Sequence, residues 1–129
     1  MQIKKLDHVN VRTSNLEEMV EWYGAVLRMK RGKRPPFPFP GAWLYAGDHA
    51  AIHLVGVTED PRSVEPKIEH FALTASGLTQ LLEHLEAEGI LYKAIRVPGL
   101  GILQINLFDP DGNHIHIDFS PEEADAAGL

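Results

Sequence analysis

The chain repeats itself once, and each copy carries two histidines at matching positions. His8 and His70 lie 62 residues apart, and His53 and His116 lie 63 apart. The residues around them repeat as well, because 6–9 resemble 68–71 and 52–54 resemble 115–117. A repeat of this length that occurs only twice is not a solenoid unit. The duplication therefore predicts two similar modules that bring their imidazoles together around a metal ion.

The apolar pattern predicts the same order of elements in both halves: a strand, a helix and three strands. We expect strands at 3–11, 28–33, 42–46 and 50–57 in the first half, and at 67–75, 90–97, 101–108 and 114–119 in the second. Helices follow the first strand of each half; the first begins at a capping box at residues 14–17, and both show an apolar stripe at helical spacing. The fold class is thus α+β, with two βαβββ modules.

These elements predict one domain over residues 1–129. The first module covers 1–57, a polar linker with two prolines covers 58–66, and the second module covers 67–120. The acidic, alanine-rich residues 121–129 are expected to form a surface tail or a short helix. Two such modules can pair through their sheets and leave a cleft between them.

Composition excludes several kinds of site. The chain has no cysteine, so a metal would have to be bound by nitrogen and oxygen ligands. Its formal charge of −6 argues against a nucleic-acid surface, which is usually basic. Residues 28–34 are a basic exception, interpreted as a solvated strand and loop, with a patch for an anionic small molecule as the alternative. Without a signal peptide or an apolar run of about 20 residues, we expect a cytoplasmic protein that does not enter a membrane.

Strand alternation predicts where the histidines point. On the last strand, His114, His116 and Asp118 share one face, and the residues between them are apolar and should face the helix. The same argument directs His8 towards the cleft, and His53 and His70 follow by the repeat. Neutral imidazole is a common ligand of divalent transition metals. Each histidine alone could be a hydrogen-bonded strand residue, but four in matching positions favour a metal site.

The other three histidines are expected to lie outside this site. His49 falls in a hairpin turn and His84 on the polar face of the second helix, so both are expected at the surface. His114 could line the mouth of the pocket without binding the metal. The remaining pocket walls should come from strand positions that share the cleft face, and their mixture of amides and aromatics suits a small polar or aromatic ligand. These candidate substrate-binding residues, which could also be ordinary strand residues, are Trp43, Tyr45, Gln104, Asn106 and Phe108.

At these motifs the chain resembles the vicinal oxygen chelate superfamily, which includes glyoxalase I, extradiol dioxygenases and bleomycin- and fosfomycin-resistance proteins. The resemblance rests on Leu6-Asp7-His8-Val9, Ile52-His53-Leu54, Glu69-His70-Phe71 and, above all, Asp109-Pro110-Asp111-Gly112-Asn113-His114-Ile115-His116. It implies a half-open barrel of two βαβββ modules around one divalent ion, which could be Zn, Ni, Fe, Mn or Co. It also implies a small-molecule substrate and a homodimer, in which the site is sometimes completed across the interface.

The resemblance implies ligand roles for His8, His70, His116 and, in some branches, His53. The family almost always has glutamate where this chain has His116, and that carboxylate takes part in glyoxalase proton transfer and in the dioxygenase ligand triad. Its replacement by imidazole leaves the charge of the ion less compensated. We expect His116 or Asp118 to serve as the catalytic base, although Asp118 could equally be a surface residue at the end of its strand.

Three functions remain open at this point. The first is a metal-dependent enzyme that chelates two neighbouring substrate oxygens, with lyase or isomerase chemistry ahead of dioxygenase chemistry because the dioxygenase triad is broken. The second is a non-catalytic ligand-binding protein of the bleomycin-resistance type, against which the four histidines count. The third is a degenerate module retained for interaction, which the missing glutamate allows.

Overall fold

Each half of the chain forms a four-stranded mixed sheet with a helix connecting its first two strands. A computed structural model describes residues 1–129 and divides them into two compact units, Met1–Val64 and Glu65–Leu129. The order of elements predicted from the sequence is confirmed in both. The fold is therefore α+β, built from two βαβββ modules.

The first unit contains β1 (Val9–Thr13), α1 (Leu16–Leu27), β2 (Lys30–Gly32), β3 (Gly41–Ala46) and β4 (His49–Gly56). Its strand order is β1-β4-β3-β2, and only the β1–β4 pair is parallel. The second unit contains β5 (His70–Thr74), α2 (Leu78–Ala87), β6 (Lys93–Arg96), β7 (Leu103–Phe108) and β8 (His114–Phe119). Its order, β5-β8-β7-β6, repeats that of the first, and β5–β8 is its parallel pair.

The core of each unit lies on the side of the sheet that the alternation predicts. On β8, Ile115, Ile117 and Phe119 are buried, and on β7 the buried residues are Leu103, Ile105 and Leu107. Helix α2 buries Leu78 and Leu85, and α1 buries Met19, Tyr23 and Val26. Because these apolar faces are covered, the alternate residues of β7 and β8 are left on the opposite face. They are Gln104, Asn106, Phe108, His114, His116 and Asp118.

The first strand of each unit is shorter than predicted. β1 begins at Val9 rather than at residue 3, and β5 begins at His70 rather than at residue 67. Pairing limits both strands, because the parallel ladders with β4 and β8 start at these residues. His8 therefore lies immediately before its strand and His70 is the first residue of its strand. The N-cap of α1 is also one residue later than the predicted Ser14, at Asn15.

The C-terminal residues form a helix that takes part in the second unit. This helix, α3 (Pro121–Ala126), directs Glu123 to the start of α2, where its Oε1 accepts the backbone N–H of Gly77 at 2.6 Å and of Leu78 at 3.2 Å. Arg96 holds the same segment, because its guanidinium donates to the Pro121 carbonyl at 3.1 Å and to the carboxylate of Asp125 at 2.6 Å. These contacts cap α2 and attach α3 to β6.

None of the helices combines the length and apolar character needed to cross a membrane.

Candidate metal centre

Three histidines of the second unit lie together on the open face of its sheet. The parallel register sets His70 of β5 beside His114 of β8, and His116 follows two residues further along β8, on the same face. One ring nitrogen from each residue can be chosen so that all three lie within 4.8 Å of one another. The rings of His70 and His116 are stacked, with centroids 3.9 Å apart and an angle of 12° between their planes. This cluster could bind a metal ion.

His116 is the most deeply placed member of the cluster. Its side chain is buried, with 8% of the residue exposed, and both ring nitrogens lack a hydrogen-bond partner. Burial, followed by the proximity of His70 and His114, lowers the pKa of His116. The ring is therefore neutral at pH 7, which is the form that binds metals. Leaving buried polar atoms unpaired is costly, and a bound ion would satisfy one of them, so His116 fits a ligand role.

One carboxylate contacts the other two histidines. Glu69, the residue before β5, accepts the Nδ1–H of His70 on Oε2 and lies 2.8 Å from the Nδ1 of His114 through Oε1. These two hydrogen bonds, the one with His70 first, hold the pKa of Glu69 below its usual value. The Nε2 of His114 lies 3.1 Å from the Oδ1 of Asn106, and the Phe108 ring stacks on His114 with centroids 5.0 Å apart.

The first unit has a related arrangement. The Nδ1 of His8 lies 2.8 Å from the Oδ2 of Asp7, and the His8 ring stacks on His53 with centroids 3.9 Å apart and planes at 16°. Trp43 covers the other side of His53, at 4.0 Å and 8°. Burial, and then the proximity of His8, lowers the pKa of His53. Where the second unit has His114, 63 residues earlier this unit has Ala51, so it offers two imidazoles rather than three.

A tight turn sets the position of β8. The Oδ1 of Asp109 accepts the backbone N–H groups of Asp111 at 3.1 Å and Asn113 at 2.9 Å, and Gly112 has a φ of 81°. An L-residue rarely adopts this φ, so glycine is required there. Because the turn joins β7 to β8, it fixes the residue at which β8 begins, and with it the face occupied by His114 and His116.

The four predicted metal ligands are thus grouped in two pairs, His8 with His53 and His70 with His116, one pair in each unit. Asp118 shares the face of His116, and its Oδ1 is buried without a hydrogen-bond partner.

The five predicted substrate-binding residues differ in whether they contact the histidines. Trp43 contacts a histidine of the first pair, and Asn106 and Phe108 contact His114. Tyr45 instead donates its hydroxyl to the carbonyl of Lys33 at 2.8 Å. Gln104 is paired with Asp118 across the β7–β8 ladder.

Two features of the cluster were missed in the sequence. The sequence predicts His114 at the pocket mouth and not as a ligand, although its spacing of two from His116 puts both on one face. Glu69 is not among the predicted site residues, although the repeat carries a signal for it, since an acidic residue precedes both His8 and His70. The expected surface position of His84 is met only in part, because the residue is half-buried and its Nε2 is buried without a hydrogen-bond partner. His49 begins β4, and its Nε2 contacts the carbonyl of Asp7.

Residues 5–117 match the family model described as Glyoxalase/Bleomycin resistance protein/Dioxygenase superfamily. Comparison with curated protein sequences gives no match. Among solved structures, an integron cassette protein from the mobile metagenome of V. cholerae is 23% identical, with a TM-score of 0.68 over 92% of this chain and 97% of that chain.

Two further solved structures share the fold. A glyoxylase/bleomycin resistance protein/dioxygenase domain from Frankia is 18% identical, with a TM-score of 0.73 over 92% of this chain and 99% of that chain. A lactoylglutathione lyase from Agrobacterium tumefaciens is 16% identical, with a TM-score of 0.71 over 95% of this chain and 98% of that chain. At these identities the likeness concerns the fold and not the reaction.

Proposed function

Because the chain belongs to the glyoxalase/bleomycin resistance protein/dioxygenase superfamily, we propose that it is a metal-dependent enzyme that chelates two neighbouring oxygens of a small substrate and catalyses a lyase or isomerase reaction. The observation that carries this proposal is His116, a buried neutral imidazole with two unpaired nitrogens beside two further histidines. A purely structural histidine at such a position would be expected to have a hydrogen-bond partner.

The proposed ligands are His70 and His116 in the second unit and, on the strength of the repeat, His8 and His53 in the first. All are imidazoles, so the site suits Zn, Ni, Fe or Co better than Mn or another cation that prefers oxygen. When bound, such an ion would supply Lewis-acid polarisation of the substrate oxygens.

The chain itself must move the substrate proton, and two residues are suited to this. Asp118 lies two residues beyond His116 on the same face of β8, and its Oδ1 has no hydrogen-bond partner. The negative charge of Asp118 acts on His116 and opposes the lowering of the His116 pKa. We propose Asp118 as the base, with His116 as the alternative. The proposed substrate contacts are Asn106 and Phe108, which touch the cluster, and Trp43 in the first unit.

The test begins with the metal content of the purified protein and its affinity for zinc, nickel, cobalt, manganese and ferrous ions. His70→Ala and His116→Ala should abolish tight binding, whereas His84→Ala, a histidine outside the cluster, should keep it. Absence of binding by the unmodified protein, or unchanged binding in both cluster variants, would overturn the proposal.

Activity assays then separate the reaction classes. Turnover of hemithioacetals would support the lyase or isomerase reaction, and Asp118→Asn should then reduce kcat while leaving metal affinity unchanged. Oxygen-dependent cleavage of catechols would instead assign the dioxygenase reaction. Ligand binding without metal would assign a binding protein of the bleomycin-resistance type.

A further inference from the structure

We propose that Glu69 is a positioning residue of the metal centre, which holds His70 and His114 by their Nδ1 atoms so that both rings present Nε2 to the same ion. This inference rests on the proposed metal-dependent function and extends it in two ways. It assigns His114 as a ligand, and it assigns the residue that prepares two of the ligands for binding.

The contacts define the role of the carboxylate. Each oxygen of Glu69 contacts one ring, Oε2 on His70 and Oε1 on His114. An ionised carboxylate only accepts hydrogen bonds, so each ring must carry a proton on Nδ1. In a neutral imidazole the electron pair available to a metal then lies on Nε2. A hydrogen bond of this kind is the common way in which proteins fix the tautomer and orientation of ligating histidines.

The repeat shows what distinguishes the second unit. Asp7 holds the Nδ1 of His8 as Glu69 holds that of His70, so both units prepare one histidine in the same way. The carboxylate of Asp7 contacts one ring only, because Ala51 stands where His114 stands in the other unit and His49 contacts the backbone carbonyl of Asp7 instead. Glutamate is one methylene longer than aspartate, and at position 69 it spans two rings on neighbouring strands. The longer acid and the additional histidine thus occur together.

Asn106 contacts the ring nitrogen through which His114 would bind a metal. Its Oδ1 lies 3.1 Å from the Nε2 of His114, and its Nδ2 donates to the carbonyls of Lys93 and Gln104, both at 3.3 Å. An amide oxygen only accepts, so this contact is a hydrogen bond only while Nε2 carries a proton. For Nε2 to bind a metal, that proton must be lost and the Oδ1 of the amide must move away. The two bonds that hold the amide are long, so the movement costs little. Asn106→Ala should therefore leave metal affinity unchanged or raise it.

The experiment compares Glu69→Gln with Glu83→Gln, the same chemical change at an exposed position on α2. A glutamine oxygen can accept from one ring only, and its NH₂ group faces the other ring. Zinc affinity, measured by competition with a chromogenic chelator, should fall about 10–100-fold in Glu69→Gln, the usual effect of losing such a partner. It should not change in Glu83→Gln. Glu69→Asp keeps the charge but has a shorter side chain, so its zinc affinity should be intermediate. His114→Ala should lose at least as much zinc affinity as Glu69→Gln.

A second readout does not depend on metal. In ¹⁵N-labelled protein, two-bond proton–nitrogen spectra report which nitrogen of each histidine carries the proton. His70 and His114 should both be protonated on Nδ1 in the unmodified chain, and at least one should change in Glu69→Gln. Unchanged tautomers together with unchanged zinc affinity would overturn the positioning role while leaving the metal enzyme intact. Failure of the unmodified protein to bind any metal would instead overturn the proposed function.

Discussion

His116 is predicted to lower the stability of the metal-free protein, and His116→Leu should therefore stabilise it. A neutral imidazole has one donor and one acceptor, and in His116 both are buried without partners. Each unpaired group costs about 1–3 kcal/mol, so the lower limit for two is about 2 kcal/mol. Leucine removes both costs but loses the stacking on His70, which contributes about 0.5–1.5 kcal/mol. We expect a net gain of about 0.5–1.5 kcal/mol.

The expected shift in Tm depends on how the two units unfold. With an unfolding entropy of about 2.1 cal/mol/K per residue, a gain of about 1.5 kcal/mol raises the Tm by about 5–6 °C if all 129 residues unfold together. The shift is about 11 °C if the unit from Glu65 to Leu129 unfolds alone. Both tryptophans, Trp22 and Trp43, lie in the first unit. Independent unfolding would therefore move the transition seen by far-UV circular dichroism but not the one seen by tryptophan fluorescence.

The assay is thermal and urea unfolding with a chelator present, repeated with added zinc. His53→Leu is the matched control, because His53 is stacked in the same way but is less buried, and neither of its ring nitrogens is both buried and unpaired. His53→Leu should give no comparable gain in stability. Added zinc should stabilise the unmodified protein and not His116→Leu. A His116→Leu variant that is less stable than the unmodified protein in chelator would refute the argument from unpaired nitrogens.

Three further predictions concern the fold. Glu123→Ala should lower the free energy of unfolding by about 1 kcal/mol, since it removes the cap from the backbone N–H groups of Gly77 and Leu78. Glu123→Gln should lower it by less. Equal stability of the unmodified protein and both variants in urea would show that the cap is not needed. Ile105→Ala should cost about 2–5 kcal/mol, because Ile105 is fully buried, and a loss below about 1 kcal/mol would contradict its place in the core. The free energy of unfolding should also fall as the pH drops below about 6.5. The pKa of His116 is lowered by burial, so the unfolded chain takes up a proton at a pH where the folded chain does not. Urea unfolding at several pH values should show a smaller fall in the free energy of unfolding for His116→Leu than for the unmodified protein. An identical fall would assign the pH dependence to other groups.

The sequence determined the architecture because its signals are local and periodic. Alternation along β8 placed Ile115 and Ile117 in the core and His116 on the opposite face, and helical spacing identified the buried side of α1. The duplication then required the same order of elements twice. These inferences need only the period of the backbone and the preference of apolar side chains for the interior.

Only the tertiary structure decided which atoms meet at the site. The contact between Glu69 and His114 joins residues 45 apart, and it depends on the β5–β8 register and on side-chain rotamers that no local pattern records. The cap that Glu123 provides for α2 depends in the same way on where a separate helix packs. Alternation thus assigned each histidine to a face. The pairing of strands and the hydrogen bonds to each ring nitrogen decided which imidazoles lie together and which nitrogen of each ring can bind a metal.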